Sequence, residues 1–305
     1  MPDFQPSTEI CGLLNVDKPR GVSSRVVVDR VEQTAGKTKA GKVKVGHAGT
    51  LDPIASGVLV ICLGTATRLI EYVQQMPKAY RATFLLGQSS PSCDIETEIT
   101  KLVDAPRPTR AEIERAAANF HGEIEQRPPA FSAVKIGGQR AYKRARRGED
   151  VEMPLRTVRI DTIDVVTYDA PRLVLDIRCG SGTYIRSLGR DLAESLGTAA
   201  VMSELVRTGI GDFTLREATR LDDLNPETLD DYLLPPLRAV ADLPRVRLDR
   251  GEIEEIRHGR TIARSDEIAV AESGQLAAVD EQDRLVALLV PRAANKLGPK
   301  CNFVR

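Results

Sequence analysis

Lys42-Val43-Lys44-Val45-Gly46-His47-Ala48-Gly49-Thr50-Leu51-Asp52-Pro53-Ile54-Ala55-Ser56-Gly57 packs one histidine, one aspartate, three glycines and one proline into a segment without repeats. Glycine permits tight turns and close approach of backbone to a ligand. A loop this rich in special residues, feeding an apolar strand, is a place where proteins position function. Composition alone leaves a second reading open, a hydrophilic loop turning at Asp52-Pro53. The run Leu59-Val60-Ile61-Cys62-Leu63 that follows has the length and apolarity of a buried strand ending at Gly64. Upstream, Gly12 to Lys18 reads as a strand stopped by Pro19. Ser23 or Ser24 can cap a helix carrying Val26, Val27, Arg30 and Val31, and Gly36 ends it.

Outward from this segment, Tyr80 to Leu86 predicts a further strand. Arg110 to Phe120 predicts a helix with Thr109 as cap and Ile113, Ala116, Ala117 and Phe120 on one face. Val158 to Tyr168 and Leu173 to Cys179 are rich in β-branched and apolar residues, the composition of strands. Gly180-Ser181-Gly182-Thr183 then turns into a helix over Tyr184 to Leu196, stopped by Gly197. Strands and helices mix without a regular βαβ beat, which favours α+β over a doubly wound sheet. Leu221 to Pro236, with its aspartates and prolines, reads as a linker. Beyond Pro244, short runs at Ile268 to Val270, Leu276 to Val279 and Leu285 to Val290 predict a small separate β domain.

The chain of 305 residues is 42% hydrophobic and carries 43 basic and 43 acidic residues. That balance gives no general electrostatic pull on nucleic acid, so local runs decide. Arg127 to Gly148 holds seven basic residues and no acid: Arg127, Lys135, Arg140, Lys143, Arg144, Arg146 and Arg147. Lys37, Lys39, Lys42 and Lys44 form a second such run. Both can bind phosphate, and each can equally be a solvated face. Cys11, Cys62, Cys93, Cys179 and Cys301 are scattered and odd in number, so neither a disulfide framework nor a zinc site is expected. His47, His121 and His258 lack metal-ligand spacing, and no metal is expected. Gly36-Lys37-Thr38 echoes the end of a phosphate-binding loop, but Val31 stands at the required earlier glycine. No run approaches the roughly 18 apolar residues of a membrane span. The first nine residues lack an apolar signal core, and the expectation is a cytoplasmic protein.

Gly46 to Gly57 resembles, without a break, the signature GHAGTLDPxAxG of the TruB family of pseudouridine synthases. Further similarity follows in the family's order. Gly12 to Ser24 is similar to GxxxxDKPxGxxS, Lys78-Ala79-Tyr80 to KxY, and Arg127 to Tyr142 to RPPxxSAxKxxGxRAY. Gly182 to Leu188 matches GTYIRSL, and Leu205-Val206-Arg207-Thr208 resembles LRRT. Ser90-Pro91-Ser92 departs from the family's usual residues, which puts the detailed role of the loop Gln88 to Glu96 in doubt, and Ser181 and Val206 are further departures. The resemblance implies that Asp52 is the catalytic carboxylate and that Arg186 pairs with it. It implies that Tyr80 packs on the target base, Tyr184 lines the uridine pocket, His47 holds the flipped-out region, Asp94 fills an acidic loop position and Leu205 contacts substrate. It further implies a largely antiparallel mixed sheet over residues 1–240, with an RNA-gripping insertion at about 127–150. A PUA-like β module would follow over 245–305. The implied reaction turns uridine 55 of the tRNA T loop into pseudouridine, with the T arm of tRNA as partner. A monomer needing no protein partner is expected by analogy.

The residue types suit that chemistry. Isomerising uridine breaks one glycosidic bond and forms a carbon–carbon bond, with no redox change, so no cofactor is required. A carboxylate serves either by attacking the ribose or by taking a ribose proton, and the sequence leaves both routes open. A target base inside folded RNA has to be flipped out and held against aromatic or apolar groups. Tyr80 and Tyr184 could do so, although a buried tyrosine is as readily a core residue with a satisfied hydroxyl. Two rival readings stand beside this one: a relative that works inside a guide-RNA complex, and an RNA-folding chaperone.

Overall fold

The apolar run after Gly57 is the spine of a mixed sheet in the computed structural model, which describes residues 10–38, 41–132, 134–263, 274–293 and 295–303. In chain order come β1 (Gly12–Lys18), α1 (Ser24–Ala35), β2 (Val45–His47), β3 (Ala55–Leu63), β4 (Lys78–Leu86) and α2 (Arg110–Ala118). Next are β5 (Gly122–Gln126), β6 (Arg156–Asp169), β7 (Arg172–Cys179), α3 (Ile185–Ser195) and β8 (Ala200–Ile210). Two short strands, β9 (Phe213–Thr214) and β10 (Thr219–Arg220), complete a ten-stranded sheet in the order β10-β1-β3-β8-β4-β7-β6-β5, with β2 on β3 and β9 on β8. Two of its pairings, β1 with β10 and β3 with β8, are parallel, and the rest are antiparallel. The α+β expectation and the mixed, largely antiparallel sheet are what is seen.

β3 reads as a continuous apolar run because alternate residues point to opposite faces of the sheet and both faces are buried. Leu14, Val16, Leu59 and Ile61 pack with Val27, Val28 and Val31 of α1. Leu13, Val58, Val60 and Cys62 enter a second cluster on the other face. α1 starts where the Ser23 side chain accepts the Val26 N–H and stops at Gly36, whose φ is 64°. α2 opens on a reciprocal cap between Thr109 and Glu112.

The stretch Leu221 to Pro236 is not a free linker. Leu224 and Leu229 are buried against α1 and β1, and Leu234 exchanges both backbone hydrogen bonds with Leu13, at 2.8 and 2.9 Å. The leucines spaced between its acids and prolines give it apolar anchors, which a reading of the turn residues alone overlooks. Beyond it lies the PUA-like five-stranded sheet: β11 (Arg245–Arg247), β12 (Ile262–Ala263), β13 (Leu276–Val279), β14 (Leu285–Ala293) and β15 (Lys296–Asn302), ordered β11-β13-β14-β15-β12. It also carries a helix absent from the sequence expectation, α4 (Arg250–Arg257), opened by an Asp249–Glu252 capping box. The sheet is separate and has its own core, and Ala277, Val279, Leu285 and Leu288 dock it on the cluster of Leu13, Val58 and Val60. Ile268 to Val270, Lys39, Ala133 and the side chain of Lys37 lie outside the described residues. Among the described residues no helix is long and apolar enough to cross a membrane, and no group of three or more His, Cys, Asp or Glu could hold a metal ion.

α3 lies directly on the sheet because Gly189 lets it. A Cβ built there would stand 1.9 Å from Phe84 Cε1, in the centre of the core. Gly189→Ala is expected to lower stability by about 1–3 kcal/mol through overpacking. Adding Phe84→Leu should recover part of that loss in urea melts, and additive losses in the double variant would disprove the contact as the cause.

Candidate active site

The segment from Gly46 to Gly57 leaves β2, crosses the end of the sheet and enters β3. It is held from three sides. Ser24, freed from capping because Ser23 caps α1, grips Leu51 twice: its hydroxyl accepts the Leu51 N–H at 2.9 Å and donates to the Leu51 carbonyl at 3.0 Å. The Gly21 N–H donates to the Pro53 carbonyl at 2.7 Å, and the Ala55 N–H closes a turn on the Asp52 carbonyl at 3.0 Å. From below, Arg207 Nη2 donates to Gly49 O at 3.0 Å, Nη1 to Thr50 O at 3.4 Å and Nε to Val58 O at 2.7 Å.

Asp52 is thus presented on a fixed backbone. Its Oδ2 receives Arg186 Nη2 at 2.8 Å, with the Asp52 side chain 40% exposed and that of Arg186 only 7%. Arg186 sits in the first turn of α3 and also donates to Ser92 O at 2.9 Å and Phe131 O at 3.1 Å. Asp94, fully buried, brings Oδ2 to 3.2 Å from Arg186 Nη1, a charge contact rather than a hydrogen bond. Its Oδ1 is held by the Ser92 hydroxyl at 2.5 Å and the Glu96 N–H at 3.0 Å. One guanidinium therefore serves two carboxylates, and Asp52 is the one left open to solvent. Ser92, one of the departures from the family pattern, is the side chain that orients Asp94.

Tyr80 lies on β4, opposite Arg207 of β8, with its ring against the core below Asp52. Burial pushes its phenol above the usual range, opposed by the charge of Arg207. Leu205 packs among Leu51, Ile54 and Ile185. Tyr184 caps α3, with its backbone clasped at both N–H and C=O by the buried amide of Gln126, at 2.8 and 3.1 Å. The Tyr184 side chain packs on the insertion's small core of Val134, Ala141, Val151 and Met153. His47 is half-buried, and its Nδ1 is buried without a hydrogen bond. Burial first, then the charges of Arg207 and Arg25, lower its pKa, so the ring is neutral near pH 7.

The insertion consists of a hairpin, Lys135–Ile136 with Gln139–Arg140, and a short helix, Ala141–Ala145. Its root is fastened to α3, where the Ser187 hydroxyl donates to Arg127 O at 2.8 Å. Lys135, Arg140, Lys143, Arg146 and Arg147 are exposed. Arg144 and Arg147 share Glu149 at 2.7 and 3.4 Å, just outside the acid-free run, so part of that charge is neutralised. Lys42 likewise pairs with Glu32 at 2.6 Å, and Lys44 is exposed. Cys93 and Cys179 are buried thiols, and burial pushes Cys179 up to about 11.

Four contributors escaped the sequence reading: Ser24, Gln126, Arg207 and Lys18. Lys18 is fully buried, with Nζ donating to Pro19 O at 2.9 Å and Val22 O at 2.7 Å. Ser24, Lys18 and Arg207 lie inside motifs quoted above, but nothing in a single sequence distinguishes a buried cation from a surface one.

Two solved structures share this architecture over nearly the whole chain. A box H/ACA ribonucleoprotein bound to a substrate RNA containing 2′-deoxyuridine matches with a TM-score of 0.70 at 24% identity, covering 96% of this chain and 85% of that one. A Cbf5–Nop10–Gar1 complex matches with a TM-score of 0.69 at 27% identity, covering 96% and 84%. The fold is thus one found in an RNA-bound ribonucleoprotein. The model described as TruB family pseudouridylate synthase (N terminal domain) matches residues 37–185. A protein named tRNA pseudouridine synthase B from Rhodopirellula baltica is 42% identical over 307 residues, covering 94% of this chain and 88% of that protein. One of the same name from Mycobacteroides abscessus is 40% identical, covering 93% of each. The chain belongs to the TruB family of pseudouridine synthases.

Lys18 gives this geometry a measurable signature. Burial, then the charge of Arg207, pulls its pKa down to about 8 from 10.5. Between those values the unfolded chain binds more protons than the folded one, so this contribution to stability rises with pH and is complete above the unfolded pKa. Wild type should gain on Lys18→Met by on the order of 1 kcal/mol per pH unit from pH 8 to 10. Parallel stability curves for the two proteins would show that Lys18 titrates alike in the folded and unfolded chain.

Proposed function

We propose that this chain converts uridine 55 in the T loop of tRNA to pseudouridine, with Asp52 as the catalytic carboxylate and the target uridine flipped out of the loop. The observation that carries the reading is the 2.8 Å pairing of Asp52 with Arg186 on a loop whose backbone is anchored by Ser24 and Arg207. The relatives at about 40% identity, named for tRNA, support the substrate.

The reaction conserves every atom of the uridine. The N1–C1′ bond breaks, the base turns, C5 bonds to C1′, and the proton leaving C5 is balanced by one gained at N1. Asp52 either attacks the ribose or takes a ribose proton. On both routes Arg186 fixes the carboxylate's orientation, which shortens the search for a reactive geometry. Tyr80 supplies a flat face for the extruded base, Tyr184 and Leu205 close the pocket, and neutral His47 holds the neighbouring strand. Asp94 keeps Arg186 in place from behind. No cofactor enters this balance.

Residues 1–240 form the catalytic unit of this proposal and 245–305 an RNA-binding module. Lys42, Lys44, Lys135, Arg140, Lys143, Arg144, Arg146 and Arg147 meet the phosphates of the T arm. The enzyme works in the cytoplasm, where its substrate is, as a monomer without an obligatory partner. The insertion with its exposed cations favours this stand-alone mode over dependence on a guide RNA.

The test incubates purified protein with unmodified tRNA and maps pseudouridine at nucleotide resolution. Wild type is expected to modify the T-loop site alone. Asp52→Asn should lose on the order of 10⁴-fold or more in single-turnover rate while keeping its tRNA affinity. Arg186→Lys, which cannot reach Asp52, Ser92 and Phe131 together, should lose roughly 100-fold. Product from Asp52→Asn at the wild-type rate would assign the chemistry elsewhere, and no product from a folded wild type would move the reading to a guide-dependent enzyme or a chaperone.

A further inference from the structure

One row of the sheet runs Lys18–Gly57–Arg207–Tyr80: Lys18 pairs with Gly57, Gly57 with Arg207 and Arg207 with Tyr80. Residues directly opposite one another in neighbouring strands send their side chains to the same face. Gly57 is the one position without a side chain, and it has to be. A Cβ there would stand 2.3 Å from the Arg207 carbonyl oxygen, and its φ is 98°. The last glycine of the signature thus admits the strand that carries Arg207.

Arg207 is 2% exposed, and among the described residues no carboxylate pairs with it. A buried, unpaired guanidinium is expensive unless its donors are all used. Here they are spent on backbone: Gly49 O and Thr50 O just ahead of Asp52, and Val58 O just after the loop. On the adjoining strand the register sets Tyr80 directly opposite Arg207, so the same cation stands beside the tyrosine. A lysine offers three donors from one point and cannot span these acceptors.

Resting on the function proposed above, we infer that Arg207 is a positioning residue for the reaction: it locks the Asp52 loop to β8 and, through the pairing of β8 with β4, sets that loop against Tyr80. Lys18, Lys78 and His47 all feel the same charge, which lies under the floor of the site. Arg207 touches no reacting atom and acts through two residues that do.

The test follows Arg207→Lys in three ways: by thermal melt, by single-turnover pseudouridine formation against tRNA affinity, and by the ¹³Cζ resonance of Tyr80 among the six tyrosines. A folded variant with unchanged tRNA affinity, a rate lowered by roughly 100-fold and a displaced Tyr80 resonance is the expected result. In wild type, the Arg207 Nε–H should exchange far more slowly than those of exposed arginines. An unmoved Tyr80 resonance, a rate within about threefold of wild type, a loss confined to affinity, or a chain that no longer folds would each overturn it, the last by making Arg207 a strut. Failure of the underlying function reads differently: wild type makes no pseudouridine, while Arg207→Lys still shifts Tyr80.

Discussion

The geometry of the site follows from burying the Arg186 guanidinium. A cation that is 7% exposed has to find acceptors, and it finds them on three separated segments. These are Asp52 on the signature loop, Ser92 and Asp94 on the loop after β4, and Phe131 at the root of the insertion. Each segment is fixed because Arg186 needs it. Removing one partner of such a pair strands the other, at a cost of about 3–5 kcal/mol. The insertion is therefore part of the electrostatic solution of the active site, as well as a surface that can meet RNA.

Arg207 and Lys18 repeat this logic one layer down. Among the described residues neither pairs with a carboxylate, and both are solvated by main-chain carbonyls. Carbonyl solvation leaves the positive charge uncompensated, and after burial it is the charge of Arg207 that lowers the pKa values of Lys18, Lys78 and His47. Above lie Asp52 and Asp94, which outnumber the one guanidinium they share. The site thus stacks an acidic layer, open to solvent at Asp52 and buried at Asp94, on a basic layer inside the sheet. That arrangement suits a reaction in which charge develops on both sugar and base, because fixed charges need no reorganisation when the bond breaks.

How much of this was legible in the sequence depends on where the information lay. Strands such as Leu59–Leu63 were readable because burial on two faces writes an unbroken apolar run. Helix starts at Ser23 and Thr109 were readable because capping is local. Asp52 was readable because an irregular signature surrounds it. The helix at Arg250 was missed although Asp249 and Glu252 stand at the capping spacing, because the surrounding texture read as β. Arg207 was illegible for a different reason: its acceptors are 149 to 158 positions away, and an arginine flanked by Val206 and Thr208 reads as the outward residue of a half-buried strand. Long-range solvation of a cation by backbone leaves no periodic or local trace. The same holds for Leu224 and Leu229, whose partners on α1 and β1 are remote in sequence.

The docked C-terminal sheet bears on the site through the strand they both use. β3 begins where the signature loop ends, and its residues alternate between two cores. Leu59 and Ile61 face α1, whereas Val58, Val60 and Cys62 face the cluster that Ala277, Val279, Leu285 and Leu288 complete. Val58 is also the residue whose carbonyl Arg207 holds. The C-terminal sheet thus seals the far side of the strand that anchors Asp52 and keeps its apolar residues from water. Because that cluster joins both sheets, a force applied to the C-terminal sheet is carried by close-packed side chains to the end of the signature loop.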